Sequence, residues 1–210
     1  MSHTHEQLSN LFMRFPGIGR KQSERFVDFL VRQHPGYIHD LTTAIQSLQK
    51  HTKQCPVSHQ YFTPTHPEQT TSPIELDQTR DRTTLMVLAT DLDLSVIEQS
   101  RTYSGMYFVL GGMVPLAKNR SRNHLAFDAL SKRIQDGIKN DHLGEIILAF
   151  SVNPQGDHTT QITKQHILPI TEENEVKITI LGRGLSTGSE LEYLDADTVH
   201  HALRARTLIR

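Results

Sequence analysis

The chain is short of the features that assign a protein quickly. Cysteine occurs once, at Cys55, so an intrachain disulfide is impossible and a reducing compartment is the natural setting. No apolar run approaches the roughly 20 residues of a membrane-spanning helix. Residues 1–10 hold no apolar core of a secretory signal, so none is expected, and the cytoplasm is the expected location. Formal net charge is only −1 over 210 residues. That balance argues against blanket binding of polyanions; any contact with nucleic acid has to be local. Hydrophobic residues at 36% and charged residues at 21% fit a globular chain of one or two domains.

Against that plain background, the segment Phe15–Phe26, FPGIGRKQSERF, stands out. Leu8, Leu11, Phe12 and Phe15 precede or open it at helical spacing, and Phe26, Phe29 and Leu30 follow on one stripe. Pro16-Gly17-Ile18-Gly19 reads as a tight hairpin between two helices, with Ile18 placed to be pinned between them. Glycine permits strained dihedrals and lets backbone approach a ligand without a Cβ in the way. Amides at the start of the second helix are then unpaired and suited to a phosphate. Arg20 adjoins them, and Lys21 and Arg25, four apart, share the face just beyond. The segment reads as a helix-hairpin-helix that holds a nucleic-acid backbone without reading its sequence. An ordinary helical hairpin with solvated cations is the competing reading. Charge favours the former: residues 1–53 carry +3, and the remainder −4.

Leu41, Ala44, Ile45 and Leu48 continue the helical period, with Asp40 as the expected N-cap, so residues 1–53 form a helical subdomain. Residues 54–79, rich in Pro, Thr and Gln, read as an irregular insert or linker. From residue 83 short apolar runs at 83–89, 106–110, 145–150 and 176–181 alternate with helical patterns near 93–100, 122–139 and 157–168. This is the pattern of a parallel sheet with helices on its faces, an α/β fold. Gly111-Gly112 and Gly182-Arg183-Gly184 follow strand ends, where such sheets place their crevices. Gly184-x3-Gly188 lacks the spacing and the Lys of a phosphate loop. A last helix is expected from Ala196 to about Arg206, with the adjacent His200 and His201 on different sides of it and Arg204, Arg206 and Arg210 near its end.

Several of these stretches resemble the bacterial recombination mediator family RecR. FPGIGRKQSERF matches its N-terminal signature, TRDRTTLMVLA (79–89) its entry into a Toprim domain, and YSGMYFVLGG (103–112) and RGLSTGSELEYLDADTVHHAL (183–203) two further signatures. The resemblance implies four parts: a helix-hairpin-helix subdomain (1–53) for DNA binding and oligomerisation, a zinc-finger-like insert (54–79), a Toprim-like α/β domain (80–175) and a C-terminal oligomerisation segment (176–210). It also implies a ring-shaped homo-oligomer able to encircle DNA, working with RecO-like and RecF-like partners to load RecA at gaps. By the same comparison Lys21 and Arg25 fall where the family contacts DNA, with Gly17, Ile18, Gly19 and Arg20 around them.

The chain departs from the family twice. Where the family has two Cys-x2-Cys pairs for zinc, this sequence has Cys55, Ser58, Ser72 and Glu75. Protonated hydroxyls are poor zinc ligands. A rearranged site using Cys55 with His59 and His66, near His51, is the alternative to solvated histidines on a metal-free loop. Such a loop is held by packing or by a neighbour, or is mobile. Where Toprim enzymes hold Mg²⁺ on carboxylates, the aligned positions are Ala89, Gln155 and Asp157. One carboxylate is too little charge for two-metal phosphoryl chemistry. Asp91 and Asp93 are expected in the first turn of the next helix, favoured there by its dipole. The expected function is therefore a non-enzymatic DNA-binding mediator without a bound cofactor. The alternatives are a divergent Toprim hydrolase using Asp91, Asp93 and Asp157, and a repair scaffold that no longer binds DNA.

Overall fold

The structure, a computed structural model, describes residues 3–117 and 125–181. The chain divides into two compact units, residues 1–52 and 53–210.

The first unit consists of α1 (His3–Phe12), α2 (Arg20–Val31) and α3 (Pro35–His51). Helices α1 and α2 meet through small polar side chains: Ser9 and Ser23 are buried, with their Oγ atoms 2.7 Å apart. Ser23 Oγ also donates to the Arg20 carbonyl at 2.8 Å. Phe12 packs edge-on against Phe15 and Phe26, with ring centroids 5.8 and 5.5 Å away.

The expected apolar stripes are only partly interior. Among the described residues of this unit Val27 is the one fully buried apolar side chain, while Leu11, Phe15 and Phe29 are 51%, 56% and 50% exposed. Phe15 lies beyond the end of α1, in the connection. The third helix also starts earlier than its expected cap, Asp40. Pro35 takes the first helical position and the His34 side chain accepts the Gly36 amide at 3.1 Å, so Asp40 falls in the helix interior.

The second unit opens with the 54–79 insert, which is regular at its ends. Strand β1 (Lys53–Gln54) pairs antiparallel with β2 (Tyr61–Phe62), and the short helix α4 (Pro73–Leu76) is capped by Ser72. A four-stranded parallel sheet follows, in the order β4-β3-β5-β6, from β3 (Asp81–Leu88), β4 (Gly105–Val109), β5 (Glu145–Ala149) and β6 (Lys177–Ile180). The connecting helices are α5 (Asp91–Ser100), α6 (Phe127–Asp141) and α7 (Pro154–Glu173).

Side-chain alternation along β3 builds two cores. Leu85 and Val87 enter one with Leu130, Ile134 and Ile167 of α6 and α7. Met86 and Leu88 enter the other with Leu94 of α5. Burial on both faces explains why the strand reads as an uninterrupted apolar run.

Helix limits differ from the sequence pattern because caps set them. Thr90 and Asp93 form a capping box that starts α5 at Asp91. Asn153 and Pro154 start α7 ahead of the expected 157. Helix α6 begins only at Phe127, after non-helical Leu125 and Ala126. The expected helix at 196–206, the glycines and Arg183 near 182–184, His200, His201 and the terminal arginines lie outside the described residues.

Candidate nucleic-acid interface

The hairpin between α1 and α2 is closed by the Ile18 amide, which donates to the Phe15 carbonyl at 3.1 Å. Gly17 has φ +76°, a left-handed conformation that a Cβ disfavours. Gly19 differs from the expectation of a strained pair: it sits at φ −90°, ψ 174° as the N-cap of α2. Having no side chain, it leaves the helix start uncapped. Gln22 and Ser23 amides donate to the Gly19 carbonyl at 3.1 and 3.0 Å. The amides of Gly19, Arg20 and Lys21 have no hydrogen-bond partner among the described residues. Unpaired N–H groups at the positive end of a helix dipole attract an anion. The bend is open to solvent, with Gly17 and Gly19 exposed and Ile18 half-buried.

Charges around the bend are sorted by pairing. Arg20 Nε is bonded to Glu24 Oε1 at 3.0 Å. Asp28 is held by both nitrogens of the Arg32 fork at 3.0 and 3.1 Å, which keeps its carboxyl below the usual range. The two acids of α2 are thus matched to Arg20 and Arg32. Lys21 and Arg25 are exposed and make neither an ion pair nor a hydrogen bond among the described residues. They line an open groove of about 790 Å³ beside α1, together with Arg20, Ser9, Asn10 and Met13 and the acids Glu6, Glu24 and Asp28.

The sheet's candidate crevice is at the carboxyl ends of β3 and β5, where the strand order reverses. Ala89 is buried there. Asp91 Oδ1 accepts the Tyr61 amide at 2.8 Å, and burial pushes this carboxyl up despite that bond. Asp93 Oδ2 accepts the Thr90 amide and hydroxyl at 2.9 and 2.7 Å. Two of the three acids that the hydrolase reading needs therefore have structural bonds. Gln155 Nε2 donates to the Val114 carbonyl at 3.4 Å, and Asp157 lies in the first turn of α7.

In the insert, Cys55, Ser58, Ser72 and Glu75 are all buried. Burial pushes the Cys55 thiol up, but hydrogen bonds from the Ser58 hydroxyl and the Ser58, Ser72 and Val57 amides outweigh it and bring it below its ordinary value. Glu75 turns away to Arg133, 3.5 Å off, which also lies 3.8 Å from Asp141. His59 stacks on Phe108 at 5.1 Å, His66 bonds Thr65, and His51 bonds Ser47 within α3. Among the described residues no three His, Cys, Asp or Glu side chains form a metal-holding group. One thiol, two hydroxyls and a carboxylate paired to arginine do not fit the zinc that the family resemblance implies.

Arg133, Lys53 and Gln69 are the structural residues that motif reading passes over. A buried arginine on an amphipathic helix has the same local text as an exposed one, and no short signal distinguishes them.

Among the described residues no helix is long and apolar enough to cross a membrane. Residues 83–182 match the family model of the Toprim domain, and residues 184–207 match that of the RecR C-terminal region. The chain is 33% identical over 195 residues to the recombination protein RecR of Syntrophotalea carbinolica, covering 93% of this chain and 92% of that one. It is 32% identical over 197 residues to that of Bacteroides thetaiotaomicron, covering 94% and 90%. To that of Lactobacillus helveticus it is 30% identical over 202 residues, with 96% of each chain covered. Coverage of nearly the whole length at these identities shows that the chain belongs to the RecR family of recombination proteins.

Proposed function

We propose that this chain is a non-enzymatic, DNA-binding component of recombinational repair. The relatives' name gives the process, and one observation supports the mode of action: Lys21 and Arg25 are unpaired and exposed beside the partnerless amides of Gly19, Arg20 and Lys21. Two cations and a helix start engage phosphate oxygens of any sequence. A single such bend binds weakly at physiological salt, and several held in one assembly bind far better through effective concentration.

Homo-oligomerisation supplies those copies. The first unit leaves Leu11, Phe15, Phe29, Val31, Ile45 and Leu48 largely exposed, with little core of its own to stabilise 52 residues. A second copy of the same chain is the occupant this reading assigns to that face. In the assembled ring the hairpins face DNA, and RecO-like and RecF-like proteins dock outside them to help load RecA at single-stranded gaps. The scarcity of acids at Ala89 and Gln155, and the structural bonds of Asp91 and Asp93, weigh against metal-dependent strand cleavage.

The test is a low-salt mobility shift on gapped duplex with wild type and Lys21→Glu/Arg25→Glu, both checked by sedimentation. Loss of the shift with unchanged assembly supports the reading. Undiminished binding by the double variant refutes the assignment of the hairpin.

A further inference from the structure

The insert between Lys53 and Leu76 buries Cys55, Ser58, Ser72 and Glu75, a set of side chains that does not suit a tetrahedral metal. We propose that it is a metal-independent finger, tied across its loop by the Lys53 ammonium and anchored at its far end by Glu75 to Arg133 of α6. This inference does not rest on DNA binding.

The turn that carries Cys55 is closed by its backbone, the Cys55 amide donating to the Gln60 carbonyl and the His59 amide to the Cys55 carbonyl, each at 2.9 Å, while the Ser58 hydroxyl donates to Gln60 Oε1 at 3.4 Å. One thiol and two neutral hydroxyls need no cation between them, whereas four thiolates do. Ser72 Oγ caps α4 by accepting the Glu75 amide at 3.4 Å. The Glu75 side chain is only 4% exposed and lies against Arg133, itself 9% exposed. The Glu75 carbonyl meanwhile receives the Arg82 guanidinium at 3.0 Å.

The intervening loop is tied by Lys53, whose Nζ donates to the carbonyls of Pro67 and Gln69 at 2.6 and 3.1 Å. Gln69 is buried; its side chain accepts the Thr65 amide at 2.8 Å and donates to the Thr71 carbonyl at 3.0 Å. One backbone bond and one backbone-to-carboxylate bond seat the finger on the α/β core. The Val109 amide donates to the Ser58 carbonyl at 2.8 Å, and the Tyr61 amide to Asp91 at the same distance. Hydrogen bonds and one ion pair thus hold the insert along its loop, at its far end and on the α/β core.

The experiment uses full-length protein expressed with added zinc. The wild type is expected to purify with far less than one zinc per chain and to show the same melting temperature with and without EDTA. Stoichiometric zinc, or a melting temperature lowered by the chelator, would overturn the proposal. The anchor is tested by limited proteolysis within residues 53–76. Arg133→Met leaves the Glu75 carboxylate buried without its nearest cation, and cleavage should rise about tenfold. Adding Glu75→Gln removes that charge and should reverse most of the increase. Equal cleavage of wild type and Arg133→Met would reject the anchor. If Arg133→Met cannot be purified, the zinc and chelator measurements on wild type still decide.

Discussion

Ser9 and Ser23 share a buried hydrogen bond, Oγ to Oγ at 2.7 Å, at the point where α1 packs on α2. Side chains of this size bring the two helices close, and the hairpin spans the gap with few residues. Removing the Ser23 hydroxyl takes away the partner of Ser9. Ser23→Ala should therefore cost about 1 kcal/mol, whereas Ser23→Leu, which wedges the helices apart, should cost about 1–3 kcal/mol. Urea denaturation followed by helical circular dichroism measures both. Equal effects of the two substitutions would contradict close packing at this point.

The two glycines of the hairpin have different tasks. Gly17 needs its φ of +76°, although a Cβ there would meet nothing within 4 Å. Gly17→Ala should destabilise the first unit by about 1–2 kcal/mol through backbone strain alone. Gly19, at φ −90° and equally open, should accept Ala with little change in stability. The added methyl group at the helix start should instead weaken DNA binding. Thermal melts and binding isotherms on the two variants separate strain from access.

Glu98 gives the second unit an acid-sensitive contact. Burial pushes its carboxyl up, but bonds from Arg80 and from the Tyr107 hydroxyl at 2.6 Å outweigh that and hold it below the usual range. A carboxyl lowered in the folded state contributes stability that is present above its unfolded value of about 4.5 and is lost as pH falls through the folded value. Glu98→Gln should lower stability at neutral pH and flatten its decline below pH 4.5. A pH series of denaturation midpoints checks this; parallel curves for the two proteins would contradict it.

Local text made the hairpin and the sheet legible, for physical reasons. FPGIGRKQSERF concentrates turn chemistry, helix periodicity and charge within twelve residues, and the fully buried strands announce themselves as apolar runs. Interior and exterior of the first unit were not legible. Leu11, Phe15 and Phe29 satisfy a helical apolar stripe, yet three short helices have too little volume to cover it. Helix α3 starts ahead of the more familiar cap Asp40 because His34 and Pro35 begin it. The insert is irregular in sequence but fixed in space, since its ties (Lys53 to Pro67 and Gln69, Glu75 to Arg133) join residues far apart in the chain. Such pairings leave no periodic trace.

The mediator account depends on Lys21 and Arg25 acting directly on phosphates, and a salt series reads that count. Log affinity for single-stranded DNA should fall linearly with log salt, losing about 0.7 in slope for each phosphate engaged. The wild type should show the contribution of at least two phosphates per participating hairpin, and Lys21→Glu/Arg25→Glu should lose the affinity and that part of the slope together. A double variant whose slope and affinity match the wild type would contradict the account.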